Sequence, residues 1–386
     1  METSLHFIDY AIVLAVIAVF IAIGFRFSKK QSTTKQYYVA SGGLPTWAIG
    51  MSILATLISS VTFLAYPGAA FSGNWILLVQ GLMVPVVLVF LVGYIVPFYR
   101  EVVGVSAYEY FEKRFGYFAR LYTSVAFSVA HFSKMGTVFF LLALAISSMM
   151  GVDIYTTILV LGTVVILYTL IGGIEAVIWL DVLQGILLLS GAVLGIGILF
   201  ATAPESPGEL IRFAHEQGKI GFAPYDWDFT KLTFIVIAIN GLFYGVQKYG
   251  TDQTIVQRYL TAKSHGDAVK ASLMGVFLCI PVWMLFMFLG SLLFSYYSLG
   301  GGTPLAEGIR PDAVFPHFIL NEMPPGLTGL ILAGLVAAAL VWTVICVPLL
   351  LIGLNALLGV RDFSEDLYLA LMLQAIASPL MSAPAF

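Results

Sequence analysis

The chain has 386 residues, 60% of them hydrophobic and 10% charged, with a net charge of −3, against about 45–50% apolar and 25% charged in soluble domains. These proportions exclude a soluble globular protein, a disordered chain and a collagen-like one, and without a basic stretch they argue against a nucleic-acid partner. Two lone cysteines, Cys279 and Cys346, cannot build a disulfide framework.

Apolar runs long enough to cross a bilayer predict nine spans, near 7–27, 46–71, 76–98, 118–149, 154–171, 174–200, 232–249, 268–297 and 326–355. The expected organisation is one all-α transmembrane domain over 1–355 and an atypical tail over 356–386. The first span lacks a basic leader and a small-residue cleavage site before Lys29 and Lys30, so it reads as a permanent helix. Twelve Lys and Arg residues, from Arg26 to Lys270, fall on one side, and four (Arg212, Lys219, Lys231 and Arg310) fall on the other. The positive-inside rule then puts the N-terminus outside a plasma membrane, with the loop Pro204 to Lys231 external. Trp47, Trp75, Trp179 and Trp227 sit near span ends, as interfacial anchors do.

The second span carries five hydroxyls, Ser52, Thr56, Ser59, Ser60 and Thr62, ahead of Tyr66-Pro67-Gly68. The seventh carries Asn240, Gly241, Phe243, Tyr244, Gly245 and Gln247 before Gly250-Thr251-Asp252-Gln253. With the first span set aside as an extra, these are the leading helices of two five-helix halves. Interrupted helices at corresponding positions of two halves point to a midplane transport site. The competing reading is that small and hydroxyl residues only let helices pack closely.

Lys134 falls in the middle of the span 118–149, too deep for its side chain to reach either interface. A charge at that depth costs at least about 3 kcal/mol, so it should face the bundle interior, where it pairs, deprotonates or meets an anionic solute. His131 lies three residues earlier on the same face and reads either as a core histidine or as a proton relay. Asp181 lies about two turns into the span 174–200; its partner is a cation, Lys134 or a nearby hydroxyl. No nucleophile, metal-ligand spacing or phosphate-binding loop is present, which argues against an enzyme and against an ATP motor. An ion-coupled carrier remains, needing a small solute and a bilayer and no evident protein partner.

Four segments now acquire a joint meaning: Tyr37-Tyr38 to Trp47, Ser106 to Phe115, Gly172-Gly173 to Gln184, and Gly250 to Tyr259. They resemble the sodium:solute symporter family, over about residues 5–340, with the bacterial sialic-acid carriers as the nearest branch. The resemblance implies the leucine-transporter-like inverted-repeat fold with an extra N-terminal helix, and sodium as the co-transported ion. It implies a main sodium site built from backbone carbonyls at Ala55 and Ile58 with the eighth core helix, and a second site at Asp181. It further implies solute contacts from Ser59, Ser60, Thr62, Gln80 and Lys134, with Phe243 and Gln247 on the other interrupted helix.

Three departures accompany that likeness. Lys134 stands where the sialic-acid branch has arginine, and a point charge does not replace a planar fork. Leu57 stands where that branch has a threonine. After Leu340 the expected serines are absent, so that Ala339 and Thr343 are left to complete the sodium site, and nothing after Pro348 is expected to match the family. A reading-frame change or gene disruption near codon 341 would produce this pattern, with a naturally shortened carrier as the alternative, and either leaves the second repeat incomplete. The rivals to a sodium symporter of a sugar, sialic acid or other carboxylate are a proton-coupled carrier using Asp181 or Lys134, and a non-transporting remnant.

Overall fold

A computed structural model describes residues 5–28, 39–40, 43–58, 60–102 and 107–337. Among them the chain is helical, without strands. α1 is Phe7–Ser28, and α2 (Thr46–Leu57) and α3 (Ser60–Ser72) form a bent apolar pair that meets at 53°. A single 3-10 turn, Trp75–Leu77, then leads into α4 (Leu78–Val102). α5 (Tyr108–Phe115) is short and amphipathic, and α6 (Tyr117–Met150) is long. α7 (Ile154–Thr202) is followed by the surface helix α8 (Pro207–Glu216), and α9 (Phe234–Gly250) by the short α10 (Gln253–Thr261). α11 (His265–Ser298), α12 (Val314–Glu322) and α13 (Leu327–Ala337) complete the described fold.

Four of these helices are long and apolar enough to cross a bilayer, five if the bent α2–α3 pair counts as one span, among the described residues. Large apolar side chains such as Leu14, Phe25, Phe90 and Tyr94 stand exposed on α1 and α4, as lipid-facing residues must. The boundary expected between the fifth and sixth spans is a kink inside α7. Gly173 breaks the helix there, with φ 60° and ψ −171°, a conformation only glycine adopts without strain.

Local chemistry fixes the helix starts. Asp153, Ser206, Thr233, Asp252 and Ser264 each accept a hydrogen bond from a backbone N–H in the first turn of the helix that follows. Gly116 and Gly151 close α5 and α6 with positive φ.

The core forms around α11, which packs along α2, α3 and α4. Two glycines let it approach both halves of the bent span. A methyl group on Gly275 would lie 2.8 Å from the Gly50 carbonyl oxygen of α2, and one on Gly290 would collide with the Pro67 carbonyl of α3. Gly241 and Gly245 do the same for α9 against α4, where a methyl on Gly241 would lie 2.7 Å from the Gln80 carbonyl oxygen. α1 lies against α7. Its Asp9 carboxylate is buried and accepts from the N–H groups of Gly326 and Gly329, each at 2.7 Å, at the start of α13.

Candidate functional site

The bend between α2 and α3 is a break in the hydrogen-bond ladder. The Ile58 N–H still bonds to the Leu54 carbonyl at 2.9 Å, but Ile58 itself is extended, with φ −92° and ψ 100°. A helix that ends here leaves the carbonyls of its last turn to partners outside the helix. Ala55 and Ile58 are both buried, so these oxygens present negative partial charge inside the protein. Ser59 lies outside the described residues, as do the side chains of Ser60, His131 and Lys134 and the whole of Ala339 and Thr343. Thr62 is buried on α3, and Gln80 is half-buried at the crossing of α4 with α9.

Phe243 and Gln247 turn away from that crossing. Gly241 and Gly245 occupy the face of α9 that meets α4, and two residues along a helix is a rotation of about 200°. Phe243 is accordingly 72% exposed, and Gln247 is exposed. A solute contact from either requires a cavity bounded by residues beyond those described.

Six residues before the break, about 9 Å down α2, the structure supplies Asp181 with a partner outside the expected set of a cation, Lys134 or a hydroxyl. Arg258 of α10 places Nη2 2.6 Å from Asp181 Oδ2, and both side chains are fully buried. Its Nε donates to Ser52 Oγ at 2.7 Å and its Nη1 to the Thr254 carbonyl at 2.6 Å. The Ser52 hydroxyl donates to the same Asp181 oxygen. Thr56 in turn donates to the Ser52 carbonyl at 2.7 Å, joining the cluster to the last turn of α2. A basic residue counted with the loop charges is thus the buried hub of three elements. The expected hydroxyl partner is also present, as Ser52.

The cluster leaves two acceptors over. Asp181 Oδ1 and, three residues on along α7, Gln184 Oε1 are buried with no hydrogen-bond partner among the described residues. A buried acceptor without a donor costs free energy, and two of them within one helical turn suit a cation. Below, Lys248 and Asp252 form a second buried ion pair at 2.7 Å, and Asp252 caps α10 through the Thr254 N–H at 2.8 Å. Burial pushes the Tyr259 phenol well above its usual range, and its neutral hydroxyl donates to the Tyr249 carbonyl at 3.0 Å. Arg100 reaches from α4 to the carbonyls of Tyr259 and Ala262 at 2.6 and 2.9 Å. α10 is therefore locked to α2, α4 and α7 at once.

The signal for Arg258 was in the Gly250 to Tyr259 segment, which holds Arg258 on a short helix capped by Asp252. What the sequence lacked was the pairing across the 77 residues back to Asp181.

Comparison with known proteins gives this arrangement a family. The family model described as the sodium:solute symporter family matches residues 37–383, which corrects the expectation that the likeness ends at Pro348. The sodium/sialic acid symporter SiaT of Proteus mirabilis is 34% identical over 336 residues, and the sodium/sialic acid symporter NanT of Aliivibrio fischeri is 30% identical over 335. Each alignment covers 86% of this chain, which spans about two thirds of the relatives' own length, 67% and 66%. A solved structure of a Na+-coupled sialic acid symporter in a substrate-bound outward-open state superposes with a TM-score of 0.90 at 29% identity. It covers 98% of this chain and 83% of that one. The all-α fold is leucine-transporter-like, and the chain belongs to the sodium:solute symporter family.

Proposed function

We propose that this chain carries out sodium-coupled symport of a small polar organic solute across the plasma membrane, with its N-terminus outside. The observation that supports the reading is the break at Ile58, where an apolar helix pair bends next to a hydroxyl-bearing segment. In this reading Ala55 and Ile58 hold the main sodium ion together with Ala339 and Thr343, and Asp181 holds a second one with Gln184 beside it. Ser59, Ser60, Thr62, Gln80 and Lys134 receive the solute, with Phe243 and Gln247 closing its cavity.

Sodium supplies the work. One ion moving down about 100 mV gains about 2.3 kcal/mol, and a tenfold gradient adds about 1.4 kcal/mol. Together they support roughly a few hundredfold accumulation of solute per ion. Sodium that orders the broken helix raises solute affinity, and solute raises sodium affinity by the same factor.

The solute class is a sugar, sialic acid or another carboxylate, with the sialic-acid relatives supporting the second. Lysine at 134 favours an anionic group without demanding a planar fork. Uptake of a labelled panel (sialic acid, glucose and pyruvate) into proteoliposomes tests both points. An inward sodium gradient is expected to drive accumulation of one member, and choline at constant pH is expected to abolish it. Undiminished uptake in choline favours the proton-coupled carrier, and absence of both uptake and counterflow for every member favours a non-transporting protein.

A further inference from the structure

The two oxygens of the Asp181 carboxylate are used differently. Oδ2 accepts from Arg258 Nη2, at 2.6 Å, and from the Ser52 hydroxyl, whereas Oδ1 has no hydrogen-bond partner among the described residues. Gln184, about one turn further along α7, leaves its Oε1 in the same condition. Ser52, Asp181, Gln184 and Arg258 are each at most 1% exposed, so solvent screens the charges among them little.

The guanidinium of Arg258 is fixed in place. Its Nε donates to Ser52 Oγ at 2.7 Å and its Nη1 to the Thr254 carbonyl at 2.6 Å, which keeps the positive charge on the Oδ2 side of the carboxylate. Thr254 joins this cluster to the neighbouring pair, because its N–H and its hydroxyl both donate to Asp252, which Lys248 meets at 2.7 Å. The two buried carboxylates and the two buried cations therefore sum to no net charge.

That sum bears on which ion Oδ1 and Oε1 can take, since cation affinity follows the charge of the ligand set. With the guanidinium already on Asp181, a sodium ion leaves the cluster with one uncompensated positive charge and a calcium ion leaves it with two. The cost of a bare buried charge rises steeply with its size. Given the proposed role of Asp181 as the second sodium ligand, on which this rests, we infer that Arg258 is the specificity-determining residue of that ion site. Its fixed charge keeps sodium binding weak enough to reverse in every transport cycle, and it excludes divalent cations.

Thermal unfolding of the purified full chain in detergent is followed against sodium chloride and against calcium chloride, with choline chloride holding ionic strength constant. Wild type is expected to respond to sodium and not to calcium. Arg258→Gln, which removes the charge and keeps a donor, is expected to lower the half-maximal sodium concentration about tenfold and to gain a calcium response. Both gains should vanish when Asp181→Asn is added, which separates this site from the main sodium site. Arg258→Lys, which keeps the charge, is expected to stay within about threefold of wild type for sodium and to ignore calcium.

Unchanged sodium affinity without a calcium response in Arg258→Gln overturns the inference, as do gains that survive Asp181→Asn. So does a wild-type calcium response that Asp181→Asn abolishes, and that measurement stands even if Arg258→Gln does not fold. Asp181→Asn alone is expected to weaken the wild-type sodium response. If it does not, the reading of Asp181 as an ion ligand fails and the inference with it. A weakened response beside an Arg258→Gln variant that gains nothing leaves that reading standing and removes only the role of Arg258.

Discussion

Arg258 and Asp181 are 77 residues apart in the chain and 2.6 Å apart in the fold, each wholly shielded from solvent. Removing one member of such a pair leaves the other as an uncompensated buried charge, whereas removing both does not. Arg258→Met is therefore expected to lower stability by about 3–5 kcal/mol. Asp181→Leu combined with Arg258→Met should recover most of that loss. Thermal unfolding in detergent of both variants checks the pair; equal losses would mean that the ion pair is not the stabilising unit.

Gln184 separates stability from ion binding. Its Oε1, without a partner among the described residues, costs stability unless a cation meets it. Gln184→Met is expected to leave thermal stability without sodium unchanged or slightly raised, and to raise the sodium concentration for half-maximal uptake several-fold. A variant with unaltered sodium dependence removes Gln184 from the ion site.

The two glycines of α11 set how closely it approaches the bent span. Gly290→Ala must push α11 off the Pro67 carbonyl and is expected to cost about 1–3 kcal/mol. Gly197→Ala in α7, where a methyl meets nothing within 4 Å, is the control, expected to be neutral or up to about 1 kcal/mol stabilising. Denaturant or thermal melts of the two side by side give the contrast.

Asp9 ties α1 to α13. With both Gly326 and Gly329 donating to Oδ1, Asp9→Ala is expected to cost about 1–2 kcal/mol, and Asp9→Asn, which keeps an acceptor, less. Hydrogen exchange checks this: protection should fall first in the opening turn of Leu327–Ala337.

Much of this fold is legible in the sequence because lipid demands it. Runs of apolar residues must be helices, and Gly172-Gly173 marks the kink in α7 where two spans were expected. The hydroxyls from Ser52 to Thr62 marked the span that breaks at Ile58. The short helices α5, α8 and α10 escaped, because they are too short to give an apolar run of span length and carry charges that a hydropathy window rejects. Arg258 escaped for a different reason. A basic residue near a span end counts as a loop charge by rule, and only the packing of α10 against α2 shows it to be interior. Which way Phe243 and Gln247 face was not legible, because the face of α9 is decided by its glycines, which seek the nearest backbone.

The hydrogen bonds of Asp9 also order events during synthesis. Its acceptors' partners lie 317 and 320 residues downstream, so at about 5–20 residues per second the first helix enters the bilayer roughly 15–60 s before Gly326 and Gly329 are made. Through that interval its carboxylate must remain at the aqueous interface. The last described helix to be threaded is thus the one that lets the first settle, and a ribosome pausing late in the message leaves the opening segment undocked, however well its own apolar face is matched to the membrane.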